Sequence, residues 1–193
     1  MSRPLPLTFV KSASALDQLP DMRAEVAVVG RSNVGKSSLL NALANRKTLA
    51  QTSKTPGRTR LLNVFAMGDG TAVVDCPGYG YAKAPKDMQA KWQRMMEDYL
   101  VERDELAMIM VLVDGAIGPT KLDVQMLDWV RAHERPHTVV ATKHDKVKPS
   151  KRSGRAAELA AGCQLELGDV VWVSSTTGHG IERLRDLVRS WLA

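Results

Sequence analysis

Short β-branched runs alternate along the chain with longer stretches whose apolar residues recur at helical spacing, the pattern of βαβ units in a mostly parallel sheet. Six runs read as strands: Glu25–Val29, Leu61–Ala66, Ala72–Asp75, Leu106–Val113, Thr138–Ala141 and Val170–Val173. Five segments read as helices: Lys36–Ala44, Lys86–Arg103, Lys121–His133, Arg155–Glu166 and Ile181–Leu192. Met67-Gly-Asp-Gly70 between the second and third strands is a hairpin signal and makes one strand antiparallel. The expectation is an α/β fold: a six-stranded, mostly parallel sheet with one antiparallel strand and helices on both faces. No repeat, low-complexity tract or linker divides residues 25–193, which are expected to form one domain. Residues 1–24 lie outside the pattern. Leu5, Leu7, Phe9, Val10, Leu16 and Leu19 are too apolar for a free tail, so this segment is expected to pack on the core as an N-terminal extension.

Size and composition narrow the classes. At 193 residues the chain fits one domain and can bury about 70% of its unfolded surface, so it needs no disulfide or structural metal. Cys76 and Cys163 lie far apart with no CxxC or Cys/His spacing, which points to a reducing compartment. The longest apolar run, Leu106–Val113, has eight residues against about 20 for a membrane helix, so no membrane span is expected. Without a signal-peptide core or a prenylation cysteine the chain reads as cytoplasmic. Its net charge of +6 is concentrated in two places. Arg46, Lys47, Lys54, Arg58 and Arg60 form one basic window without an acid; Lys143, Lys146, Lys148, Lys151, Arg152 and Arg155 form another against Asp145 alone. The rest of the chain is net acidic, and such patches suit a polyanion, a nucleotide or a nucleic acid.

The first strand runs into Gly30-Arg31-Ser32-Asn33-Val34-Gly35-Lys36-Ser37 and then a helix, which is GxxxxGK[ST] in its strand–loop–helix context. Gly30 and Gly35 let backbone N–H groups turn inward around phosphate oxygens, and the helix N-terminus adds partial positive charge. Lys36 is expected on the β- and γ-phosphates and the Ser37 hydroxyl on Mg²⁺. This places the chain in the P-loop NTPase fold. The hairpin's second strand ends in Asp75-Cys76-Pro77-Gly78, where Asp75 can hold a water on the metal and the Gly78 N–H can reach a γ-phosphate. Thr142-Lys143-His144-Asp145 follows the fifth strand. One carboxylate can accept from guanine N1–H and its 2-amino group together, a donor pair adenine lacks, so Asp145 selects guanine. The Lys143 stem can lie over the base, and the small residues Ser174, Ser175 and Thr176 let backbone N–H groups approach its oxygen.

These four elements in this order identify the chain as a member of the TRAFAC class of GTPases. Thr55-Pro-Gly-Arg-Thr-Arg-Leu61, Asp75-Cys-Pro-Gly-Tyr-Gly-Tyr-Ala82, the lead-in Phe9-Val-Lys-Ser12 and the final Gly180-Ile-Glu182 helix make it resemble the EngB family of bacterial GTPases over essentially its whole length. That resemblance implies a GTP/GDP switch in large ribosomal subunit assembly, acting on the large subunit or its rRNA, whose loss disturbs septation and cell division. It implies that Gly57, Arg58, Thr59, Arg60 and Leu61 line the nucleotide, with Thr59 the switch I threonine on Mg²⁺. Thr142 stands where most GTPases have asparagine. Ras-like enzymes place a glutamine after DxxG; here Tyr79 follows, so slow intrinsic hydrolysis is expected. Lys36 and Thr59 carry the catalytic expectation. Asn33 is a further candidate, because an asparagine at this place holds K⁺ in some related GTPases. A monomer is expected.

Other residues take a packing reading: Trp92, Trp129, Trp172 and Trp191 as core anchors, Met95 and Met96 as gap fillers. The four histidines show no ligand spacing. An alternative from another class, a nucleotide-gated septum scaffold with incidental hydrolysis, is disfavoured by the clustered basic charge. An ATP-dependent kinase is disfavoured by the Asp145 loop.

Overall fold

The computed structural model describes residues 2–50, 61–79 and 86–193, excluding the side chains of 86–89, 91 and 92. The expectations for Gly57, Arg58, Thr59 and Arg60, and for the Trp92 side chain, lie outside the described residues. Seven strands form one sheet: β1 (Thr8–Ala13), β2 (Ala24–Gly30), β3 (Leu62–Ala66), β4 (Thr71–Asp75), β5 (Leu106–Asp114), β6 (His137–Thr142) and β7 (Val170–Trp172). Their order is β1-β3-β4-β2-β5-β6-β7. β3 is antiparallel to both neighbours, and the pairs from β4 through β7 are parallel. The helices are α1 (Lys36–Leu43), α2 (Lys86–Glu102), α3 (Lys121–Ala132), α4 (Arg152–Gly162) and α5 (Ile181–Trp191).

Central strands β2 and β5 are apolar on both sides because both sides are covered. Val26, Val28, Met110, Leu112 and Val140 meet Leu39, Leu40 and Leu43 of α1 and Leu184 and Val188 of α5. Ala27, Val29, Ile109, Val111 and Val139 meet Met95, Met96, Tyr99 and Leu100 of α2, Leu127 and Val130 of α3, and Leu159 of α4. Two helices thus cover one face and three the other. The β3–β4 hairpin forms at Met67–Gly70: Gly70 takes φ +81°, and the Asp69 carboxylate accepts from the Thr71 N–H and hydroxyl.

Two details differ from the sequence expectation. The sheet has seven strands instead of six. The added strand, β1, pairs antiparallel with β3 at the sheet edge, with a register shift between Phe9 and Lys11, and its first five residues are exposed, so no apolar alternation marks it. Helix α4 begins at Arg152 instead of Arg155, because a 3₁₀ turn opened by Pro149 runs directly into it. It ends at Gly162, before Gln164 takes φ +56°. Ahead of β1, Leu5 and Leu7 are 1% exposed beneath α1 and α5. The Leu5 N–H donates to Leu43 O at 3.0 Å, and Arg185 donates to Ala42 O, Leu43 O and Ser2 O, satisfying the end of α1.

If this strap is core, Leu7→Ala should lower the free energy of unfolding by about 2–5 kcal/mol, as for other buried leucines. Urea unfolding measures this; a loss below about 0.5 kcal/mol would make the strap a surface decoration.

Candidate functional site

The C-terminal ends of β2, β4, β5, β6 and β7 lie at one edge of the sheet, and the expected chemistry gathers there. β2 passes into α1 through the loop at residues 30–37, where Asn33 takes φ +64° and Gly35 φ +110°. These left-handed residues turn successive N–H groups to one side, the geometry of an anion-binding nest. Gly30 has no room for a side chain: a Cβ would sit 2.9 Å from Val34 Cγ1 and 3.0 Å from Leu112 Cβ. Lys36 is nine-tenths buried, and its ammonium donates to Gly30 O at 3.3 Å. Burial holds its pKa below the usual lysine range, while the carboxylate of Asp75 pulls it up. Ser37 is half-buried in the first turn of α1.

Asp75, the last residue of β4, is 3% exposed. Burial pushes its pKa up to about 6 against the opposing pull of Lys36. Its Oδ1 has no hydrogen-bond partner among the described residues. A buried carboxylate oxygen left open beside a phosphate-type loop fits a hydrated divalent cation, which would supply the missing donors. Cys76 points into the core: its N–H donates to Val28 O, its Sγ lies 3.8 Å from Val74 O, and burial drives its thiol far above the usual pKa. Only its backbone is available at this edge. Pro77 is buried too, and a Cβ on Gly78 would lie 3.0 Å from Ser32 N and 3.1 Å from Lys36 Nζ.

The opposite side of the edge is built from β6 and β7. The Thr142 hydroxyl is 2.7 Å from Val34 O and 3.3 Å from Val113 O; with one proton to give, it bonds the nearer carbonyl. Its side chain therefore braces the phosphate-type loop and is not turned out toward a base. Lys143, at φ +58°, donates to Asp114 Oδ2 at 2.6 Å and to Asn33 O at 3.0 Å. The Asp145 carboxylate accepts from the Ser174 hydroxyl at 2.7 Å, and that bond holds it below the usual carboxylate pKa. His144 stacks on His179 with centroids 3.8 Å apart. The Ser174 N–H is already given to His179 O, so backbone approach to a ligand falls to the exposed Ser175 and Thr176. Leu61 is exposed, immediately before β3.

The structure thus brings Lys36, Ser37, Asp75, Gly78, Lys143, Asp145 and Ser174 to one edge. Sequence reasoning missed Asp114 and Asp123. Asp114 had a signal, an acid closing an apolar strand. Asp123 had the signal of an ordinary helix start, Thr120-x-x-Asp123, and indeed forms that capping box. Its further bonds to Arg31 and Tyr79 join segments distant in sequence.

Fold and site together define a P-loop GTPase. A family described as 50S ribosome-binding GTPase matches residues 25–143. The chain is 46% identical over 178 residues to the probable GTP-binding protein EngB of Thermotoga maritima, covering 91% of this chain and 90% of that one. A solved structure of a probable GTP-binding protein EngB aligns with TM-score 0.71 at 25% identity, covering 88% of this chain and 98% of the other. Era in complex with MgGDPNP and nucleotides 1506–1542 of 16S ribosomal RNA aligns with TM-score 0.64 at 25% identity, over 89% of this chain and 58% of Era. The chain belongs to the EngB family of GTP-binding proteins.

The brace at Thr142 gives a direct check. Thr142→Val leaves the buried Val34 carbonyl without its donor and should cost about 1–3 kcal/mol of stability, whereas Thr142→Ser should retain most of it. Thermal unfolding of the two variants measures the difference.

Proposed function

We propose that this GTPase is a nucleotide switch that acts on the assembling large ribosomal subunit and is needed for normal cell division and septation. The observation that carries the reading is the joined edge just described: a phosphate-type loop tied through Thr142 and Lys143 to a loop that presents Asp145. In this reading residues 25–193 are the GTP-binding domain and residues 1–24 the extension packed on it. The nest at 30–37 and Lys36 hold the phosphates. Asp145 accepts from guanine N1–H and the 2-amino group, with Ser174 fixing its orientation. Ser37, Thr59 and, through water, Asp75 hold Mg²⁺, whose charge offsets the phosphates' own. Thr59 acts only when a γ-phosphate is present.

Hydrolysis by the isolated protein is slow, because Tyr79 stands where a glutamine would orient water. Asn33, exposed on the loop, is the candidate to recruit K⁺. A ribosomal partner is supported by the matched family's description, by the Era complex with 16S ribosomal RNA, and by charge. Lys148, Lys151 and Arg152 stand exposed after the Asp145 loop. We take the protein to work as a cytoplasmic monomer. Among the described residues no helix is long and apolar enough to cross a membrane.

The test is sedimentation with ribosomal particles in GDP and in a non-hydrolysable GTP analogue. Co-sedimentation with the large subunit in the analogue, weakened steeply by salt, is expected for several phosphate contacts. Binding that ignores both nucleotide and salt would sink the rRNA reading. Base selection is checked separately. Asp145→Asn exchanges an acceptor for a donor that suits the 2-oxo group of xanthine. GTP affinity should fall by more than about 100-fold, since two bonds to a charged group at about 1.5–3 kcal/mol each are lost, and XTP should bind better. Competition binding with the two nucleotides reads the change.

A further inference from the structure

Asp123 accepts more bonds than a helix cap requires. It lies at the start of α3 with no exposed surface, and its Oδ2 takes the Thr120 N–H at 2.8 Å and the Thr120 hydroxyl at 2.7 Å. The same carboxylate also takes Arg31 Nε at 3.0 Å on Oδ2 and the Tyr79 hydroxyl at 2.9 Å on Oδ1. Arg31 is the first residue after Gly30 in the phosphate loop; Tyr79 is the first residue after Asp75-Cys-Pro-Gly78. One buried carboxylate therefore fastens the phosphate loop and the segment after Gly78 to the same helix end.

The backbone follows. Arg31 and Tyr79 form a parallel bridge, and the Ser32 N–H donates to Tyr79 O at 3.4 Å. Gly78 lies so close that a Cβ would come within 3.1 Å of Lys36 Nζ. Residues 78–79 thus engage the Ser32 N–H and lie beside the Lys36 ammonium, at the end of the loop where the Gly78 N–H is expected to meet a γ-phosphate. The bond at 3.4 Å is long and weak on its own; the charge-assisted side-chain bond at 2.9 Å is the stronger fastening.

We infer that Asp123 is a positioning residue that latches Gly78 and Tyr79 over one end of the phosphate loop, so that a nucleoside triphosphate must open the latch while a diphosphate need not. Asp123 then sets the protein's preference between GDP and GTP. The inference rests on the guanine-nucleotide reading above. A ligand that requires the open arrangement binds with an affinity reduced by the fraction of molecules that are open, and removing the latch removes that reduction for the triphosphate alone.

Tyr79→Phe keeps the ring and removes only the hydroxyl. Equilibrium binding of GDP and of a non-hydrolysable GTP analogue would be measured in wild type, Tyr79→Phe and Asp123→Asn. The expected result is analogue affinity raised by about ten-fold in Tyr79→Phe, the scale of one hydrogen bond to a charged group, with GDP affinity unchanged. A second readout, hydrogen exchange at the Ser32 amide of the nucleotide-free protein, should be faster in Tyr79→Phe. Should Asp123→Asn fail to fold, Tyr79→Phe decides alone. An unchanged ratio of the two affinities, or equal losses for both nucleotides, overturns the latch. Failure of wild type to bind either nucleotide would instead overturn the reading on which it rests.

Discussion

A buried ammonium is the constraint around which this edge of the molecule is organised. Lys36 is 9% exposed, and among the described residues its ammonium has one hydrogen-bond acceptor, Gly30 O, with Asp75 as its opposing charge. Taking an amine out of water without full compensation is costly, and burial of Asp75 beside it adds to the cost. Among the described residues the carboxylate keeps an unpartnered oxygen. Natural cores rarely tolerate either condition, and both occur here within one strand–loop–helix turn. The rigid parallel core holds them in place, and the charges of a nucleotide and its metal would complete both.

The same edge behaves as one piece because its loops share atoms. Val34 and Asn33, in the middle of the phosphate loop, give their carbonyls to Thr142 and Lys143. Asp114 holds Lys143 from the neighbouring strand, and Ser174 holds Asp145 from the next. A displacement at one loop is therefore felt at the other through hydrogen bonds rather than through the sheet beneath. Threonine suits position 142 in this arrangement: a short hydroxyl reaches the Val34 carbonyl directly.

Much of this was legible in the sequence where the signal was local. The phosphate loop is a contiguous run with glycines and a lysine at fixed spacing, and β5 is a run of eight apolar residues that only a strand covered on both faces explains. The hairpin announced itself through Gly68 and Gly70. Strand β1 was illegible because an edge strand with five exposed residues carries no alternation; what makes it a strand is its partner β3. Asp123 carried only the Thr120-x-x-Asp123 signal of an ordinary helix start, and it was missed. Its bonds to Arg31 and Tyr79 depend on α3 meeting β2 and the segment after β4, a long-range fact that no spacing records. The Arg46–Arg60 basic window was read as composition alone.

Both thiols of the chain are enclosed. Cys76 lies in the core on the side of the sheet covered by α2, α3 and α4, with its pKa driven far up, and Cys163, at the end of α4, is pushed up to about 11. Thiolate is the form that reacts with peroxides and alkylating reagents, and at neutral pH neither residue supplies it. Burial and a raised pKa together keep both thiols out of reach of such reagents. For the experimenter this is also a clean background: a single cysteine introduced on the surface would be the one that a maleimide dye labels.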